Sequence, residues 1–251
     1  MTSRMVLSLL AVVFLSHSLT ACNGEEERYE DLKKLRTIGV AAFPVFGTPS
    51  TETAPQVVTL TIYASLPVGD VATAEPYVDP ASKYALNLPV TIVPNSEAYE
   101  EHGSFHIYSV KATQVMPTTD LVKIPPKPGY LSVRYGVKIT SGKEVENVVG
   151  NVLVYPNGAP ELDHVAPVVD IAKPSPSAGV SGTEDLEAAI TDPSGENMRV
   201  GWFVGKGKVK NRRARVTKWE TEGSGVQSLL VTIRGAKSGA FAFKAVDVNV
   251  Q

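Results

Sequence analysis

The stretch YLSVRYGVKI, residues 130 to 139, decides the fold class of this chain. Leu131, Val133, Tyr135, Val137 and Ile139 fall on one side of an extended backbone, with Ser132, Arg134 and Lys138 on the other. Side chains of a strand alternate between its two faces, so this spacing predicts a half-buried antiparallel strand. VVTLTIYASL (57–66) repeats the pattern: Val58, Leu60 and Ile62 face one way, Thr59, Thr61 and Tyr63 the other.

Working outward, short runs rich in Val, Ile, Thr and Tyr recur between proline and glycine breaks: TIGVAAF, LPVTIVP, FHIYSVKATQV and VVGNVLVYP. No stretch of comparable length keeps a helical period, and 18 prolines act against helices. Many short strands separated by turn signals predict β-sandwiches. Pro67 to Leu88, with little apolar periodicity, reads as long loops rather than core. Residues 156–166, rich in proline, read as a semi-rigid linker between a first domain (37–155) and a second (167–251).

In the second domain, Ala189-Ile190-Thr191-Asp192-Pro193-Ser194-Gly195 is followed by Val200-Gly201-Trp202-Phe203-Val204. Proline fixes φ, aspartate accepts backbone hydrogen bonds and glycine supplies positive φ, so Asp-Pro-Ser-Gly makes a tight turn. The pattern resembles PKD-type and related bacterial immunoglobulin-like repeats, in which such a turn joins two strands and the second buries a tryptophan. Trp219, the strand Leu229 to Ile233, a hairpin at Gly235 to Gly239 and the closing run Val246 to Val250 keep the same order. The resemblance implies tandem immunoglobulin-like β-sandwiches, with Trp202 in the core of the second. The first half shares the pattern without a signature residue.

The N-terminus sets a different context. Met5 to Leu15 is apolar apart from Ser8 and follows the basic Arg4. Its eleven residues are about half the roughly 20 that a membrane-spanning helix needs, and the order is that of a secretory signal. It ends at Leu19-Thr20-Ala21-Cys22, and Cys22 is the only cysteine in 251 residues. These residues resemble the lipobox of bacterial lipoproteins, which implies removal of residues 1–21 and a diacylglycerol and acyl chains on Cys22. By the same resemblance, Asn23 rather than aspartate after the cysteine implies export to the outer membrane. Residues 22–36 read as the lipidated cysteine and a charged tether, with Glu25, Glu26 and Glu27 ahead of Lys33, Lys34 and Arg36. With Cys22 in the anchor, no disulfide and no thiol ligand remain.

Removing Arg4 leaves 23 of the 24 basic residues against 26 acidic ones, which gives no general drive toward nucleic acid. The sharpest charge feature is GKGKVKNRRARVTKW. Lys206, Lys208, Lys210, Arg212, Arg213, Arg215 and Lys218 place seven positive charges in thirteen residues with no acid among them. On a strand, Lys206, Lys208 and Lys210 would share one face as a basic stripe, fit for an anionic polymer, lipid headgroups or an acidic protein. The same lysines would also guard an exposed edge strand against aggregation.

Other constellations carry less. His102 and His106, four apart on a strand, would sit about 13 Å from each other, too far for one metal, and read as loop or strand surface. His164 lies in the linker with no paired acid pattern. Asp192, with Glu196 and Asn197, is a calcium candidate, but one turn supplies fewer than the six to eight oxygens needed unless a residue such as Asp170 converges on it. No metal site or cofactor is expected beyond the lipid. No nucleophile elbow, Walker loop, zincin motif or paired-carboxylate pattern appears, so no enzyme is expected. The expectation is an outer-membrane lipoprotein: a non-catalytic binding or scaffold component with a membrane anchor and an envelope protein partner. The alternative is a recognition module for glycan or anionic polymer.

Overall fold

The computed structural model describes residue 32 and residues 34–80, 86–118, 129–155, 166–175 and 179–251. Cys22, the apolar leader, His164 and nearly all of the linker lie outside the described residues. The first half contributes β1 (Arg36–Phe43), β2 (Phe46–Gly47), β3 (Val57–Leu66), β4 (Thr73–Pro76), β5 (Leu86–Asn87), β6 (Thr91–Ile92), β7 (Ala98–Glu101), β8 (His106–Val115), β9 (Leu131–Ser141) and β10 (Glu144–Val154). The second contributes β11 (Val168–Lys173), β12 (Gly179–Val180), β13 (Thr183–Thr191), β14 (Met198–Val204), β15 (Lys208–Val209), β16 (Val216–Glu220), β17 (Gly225–Gly235) and β18 (Phe241–Val250). The chain is all-β.

Each half is an immunoglobulin-like sandwich. In the first, one sheet runs β1-β3-β8-β6 with β7 beside β8, and the other β2-β10-β9-β4 with β5 beside β9. In the second, the sheets run β11-β13-β16-β15 and β12-β18-β17-β14. Both halves split their first strand in the same way. β1 and β11 pair antiparallel with β3 and β13, whereas β2 and β12 cross over and pair parallel with the last strands, β10 and β18. The peptide bonds Phe43–Pro44 and Lys173–Pro174, at these crossings, are cis.

The alternating residues fill the cores as their spacing predicts. Val58, Leu60 and Ile62 of β3 meet Val133, Val137 and Ile139 of β9 in the first core. Trp202, Trp219, Leu186, Leu229 and Ile233 make the second. Pro67 to Leu88 departs from the loop reading. It holds β4 and β5, both hydrogen-bonded to β9, because backbone pairing needs no apolar side chains there. The Arg134–Asp79 ion pair and the bond from Asn87 Nδ2 to the Asp79 carbonyl (3.2 Å) help to hold that edge.

The two sandwiches are not spaced along a line. The outer face of β1-β3-β8 packs on the outer face of β14-β17-β18, so the four sheets form one stack. Ile38, Tyr63, Phe105 and Ile107 from the first half meet Phe203, Leu230, Phe241, Phe243 and Ala245 from the second. Tyr63 lies edge-on to Phe243, with ring centroids 4.8 Å apart. The approach is close enough that a Cβ on Gly39 would clash with the edge of the Phe241 ring. Leu32, only 1% exposed, is part of the same cluster, and Leu35 enters the first core. The end of the stretch read as tether is thus built into the body.

One edge of this junction is polar. The β7–β8 turn presents its Gly103 N–H to both oxygens of Asp247 (3.1 and 3.2 Å) and its Ser104 N–H to Ser228 Oγ (3.2 Å). The Ser228 hydroxyl in turn donates to Asp247 Oδ1 at 2.7 Å.

Three measurements test this architecture. Overpacking a filled interior costs about 1–3 kcal/mol, so Gly39→Ala should lose that much stability to urea, and less in a Phe241→Leu background, because residues in contact are not additive. Asp247→Ala strands the Gly103 N–H and the Ser228 hydroxyl and should cost about 1 kcal/mol, with faster hydrogen exchange at the Gly103 amide. Buried tyrosines set an alkaline limit. Burial pushes Tyr135 from its ordinary value of 10.0 up to about 12, against an opposing influence of Arg234. Burial also raises Tyr108, with Glu97 and Tyr99 adding to it, and Tyr63, where the Thr61 hydrogen bond offsets part. A raised folded-state pKa contributes stability that is complete below the unfolded value and is lost as pH rises through the folded one. Unfolding free energy should therefore hold level to about pH 10 and fall through pH 12.

Candidate functional site

The basic segment is a pinned loop, not a strand stripe. Gly207 has a φ of +87°, and a Cβ there would run into the Glu220 carbonyl, so the chain turns sharply after Lys206. Between Lys206 and Arg215 only Lys208 and Val209 form strand, paired with Glu220 and Trp219 of β16, which itself carries Lys218. Lys206 is therefore off the strand, and no face is shared by Lys206, Lys208 and Lys210. Residues 211–214 then turn back, with the Ala214 N–H bonded to the Asn211 carbonyl (3.1 Å) and the Arg213 N–H to Asn211 Oδ1 (3.2 Å).

Two fully buried indoles hold this path. Trp219 Nε1–H donates to the Lys206 carbonyl and Trp202 Nε1–H to the Ala214 carbonyl, each at 2.9 Å. The Trp202 backbone N–H takes the Arg212 carbonyl as well, also at 2.9 Å. A buried tryptophan needs a partner for its N–H, and here both core tryptophans find theirs in the loop backbone. The core thus fixes the loop from beneath while its basic side chains point outward.

Acids from neighbouring strands reduce the local charge. Lys210 Nζ lies 3.4 Å from Glu220 and Lys218 Nζ 3.4 Å from Asp185. Arg215 Nε donates to the Ala188 carbonyl at 2.9 Å, and Arg212 is half-buried. Lys206, Lys208 and Arg213 remain exposed at the surface. Beside the loop, Lys218 also borders an open groove of about 400 Å³, lined by Lys173, Ser175, Thr183, Glu184 and Asp185 among others. Lys173 is itself 3.3 Å from Glu187, so the wall charges are largely matched.

The Asp192 turn forms as its residues predict, but its oxygens are engaged. Asp192 Oδ1 accepts from the Ser194 N–H (3.1 Å) and hydroxyl (2.7 Å), and Oδ2 accepts from the Glu196 N–H (2.7 Å). Glu196 reaches across to the β17–β18 hairpin, accepting from the N–H groups of Lys237 (2.9 Å) and Ser238 (3.1 Å) and from the Ser238 hydroxyl. Asp170 Oδ1 accepts from the neighbouring Ile171 N–H at 2.8 Å. Among the described residues no three His, Cys, Asp or Glu side chains are grouped to hold a metal.

The histidines also differ from a surface reading. His106 is buried at the start of β8, with Nε2 3.8 Å from Glu101. His102 is stacked on Phe105 at 5.2 Å, with Nε2 3.3 Å from Glu100 and Nδ1 3.9 Å from Asp247. His102 thus sits at the junction between the sandwiches.

What reading by alternation overlooks is the junction itself. Leu230, Phe241 and Phe243 point away from the second core, and Tyr63 and Ile107 away from the first. A signal is present in the consecutive Leu229-Leu230-Val231, which makes β17 apolar on both faces and so demands two covers.

Comparison with known proteins adds the following. No family model matches the chain, and no curated relative does. Among solved structures, the fibronectin(III)-like modules of Clostridium thermocellum CbhA share 15% identity at a TM-score of 0.30, covering 87% of this chain and 94% of theirs. The tandem Ig repeats of Dlar share 10% identity at a TM-score of 0.30, covering 78% of this chain and 89% of theirs. At these scores the neighbours carry no argument about what this chain binds, and its fold class rests on its own strand order.

Proposed function

We propose that this chain is a lipid-anchored, non-catalytic binding or scaffold component of a bacterial cell envelope, held at the outer membrane through Cys22 and acting with an envelope protein partner. The observation that carries this reading is Leu19-Thr20-Ala21-Cys22, with the only cysteine of the chain placed where an apolar leader ends. The body adds support: immunoglobulin-like sandwiches present extended surfaces, and the acids that sit close together here, Asp192 and Glu196, serve as acceptors for backbone N–H groups. One acyl chain anchors only reversibly, so stable retention takes the two or three chains that a lipoprotein carries.

Cys22→Ser should leave the precursor uncut and without acyl chains, as read by intact mass; a processed, acylated Cys22→Ser protein would sink the anchor. Crosslinking in intact cells, followed by detergent extraction, should then recover a membrane complex containing the chain.

The pinned basic loop favours a second reading, recognition of an anionic polymer. A rigid backbone presents Lys206, Lys208 and Arg213 without the cost of ordering a loop on binding. If this reading holds, the chain is retained at low salt on an anionic polysaccharide resin, and the triple change Lys206→Glu, Lys208→Glu and Arg213→Glu abolishes retention. Equal retention of the variant rejects it, and retention that survives high salt argues against a charge-driven contact.

A further inference from the structure

The path of the chain into the body selects one end of the stack. Leu32 is buried in the junction, the Leu35 N–H donates to Glu144 (2.7 Å), and the Ser65 hydroxyl donates to the Lys34 carbonyl (3.2 Å). The N-terminal segment therefore enters where β3 ends, β8 begins and the β9–β10 turn lies. Leu32 follows Cys22 by ten residues, which at about 3.3–3.6 Å per residue limits its distance from the anchor to about 35 Å.

That same end exposes apolar side chains in a fixed setting. The β3–β4 turn places Val68 (58% exposed) and Val71 (74%) at its tip, next to Tyr99 (41%). The turn is closed by the bond from the Asp70 N–H to the Pro67 carbonyl (3.2 Å). It is tied to its neighbours as well. Ser141 Oγ donates to the Val71 carbonyl (3.0 Å), and the Tyr99 hydroxyl bonds both the N–H (3.0 Å) and the carbonyl (3.3 Å) of Ala72. Turn tips ordinarily carry polar residues. Lys34 and Lys143 are exposed on this end together with Asp70, Glu100, Glu101 and Glu144, so its charge is weakly acidic and any contact with lipid falls to its apolar groups. The opposite end also exposes apolar groups, Phe43, Val57 and Val115, so exposure alone does not choose between the two. Entry of the chain that leads back to Cys22 at the Val68 end favours that end.

We propose that the end carrying Val68, Val71 and Tyr99 rests on the phospholipid surface, with the two valines among the headgroups and the Tyr99 ring at the level where aromatic side chains settle. The inference rests on acylation of Cys22. The four sheets then stand with their strands rising from the membrane, and the Phe43 end is held away from it, free for partners.

The test uses the full-length, processed protein in vesicles of phosphatidylethanolamine and phosphatidylglycerol. Intact mass first establishes the acyl chains on Cys22, which also leave an introduced cysteine as the only thiol. Val71→Cys, Val68→Cys and, at the far end, Val115→Cys are each labelled with a polarity-sensitive dye. The proposal expects blue-shifted emission, quenched by brominated lipid, at 71 and 68, and water-like, unquenched emission at 115. Water-like emission at both 71 and 68 in an acylated protein, or lipid contact at 115 instead, overturns the proposal and leaves the anchor reading standing. Absence of acyl chains on Cys22 overturns both.

Discussion

The close approach of the Phe241 ring to the backbone at Gly39 is the contact on which the rest of the structure depends. It brings two sheets face to face whose outer surfaces would otherwise be wet, and it converts two sandwiches into one stack. Once the sheets are that close, Ile107 and Leu230 are closed off from water and Tyr63 and Phe243 are half-buried. The β7–β8 turn then reaches Asp247, and Leu32 finds a closed apolar site beside both halves. Each of these is a consequence of a position with no side chain facing one with a large flat ring.

How much of this is legible in the sequence depends on which face of a strand is asked about. Core-facing residues such as Leu60, Ile62, Val133 and Ile139 can be found because their neighbours alternate with them in polarity, and that contrast is local. The junction residues lack it. In β17 the apolar run Leu229-Leu230-Val231 erases the alternation, and Phe241 and Phe243 take the same face of β18 as Asp247. A proline-rich stretch between two strand patterns reads as a spacer, and nothing local says that the outer faces of the two halves meet. β4 and β5 escape for the opposite reason: they are held by backbone pairing to β9 and an ion pair, which leave no hydrophobic period.

The candidate site shows the same division. Counting charges along residues 206–218 locates the basic segment correctly, but the acids that temper it, Asp185 and Glu220, come from the neighbouring strands β13 and β16. Its shape also depends on residues outside the run of lysines. Trp202 and Trp219 are core residues first, and their indole N–H groups, which cannot go unpaired in an apolar interior, dictate where the loop backbone passes. Core packing and the presentation of the basic surface are thus one arrangement, and a substitution meant to affect only the core will move the loop.

The stack also accounts for how these sandwiches hold together without a covalent cross-link between their sheets. Immunoglobulin domains commonly bridge their two sheets with a disulfide, and this chain has a single cysteine, Cys22. A domain of about 100 residues leaves a large share of its surface wet, whereas a unit of about twice that size buries a larger fraction. Joining the halves through Phe203, Leu230, Phe241 and Phe243 gives both middle sheets two buried faces instead of one. The stabilisation that a bridge would supply within each sandwich comes instead from the sandwich beside it. Neither half keeps that contribution alone, and the junction is accordingly the place where a single change is felt by both.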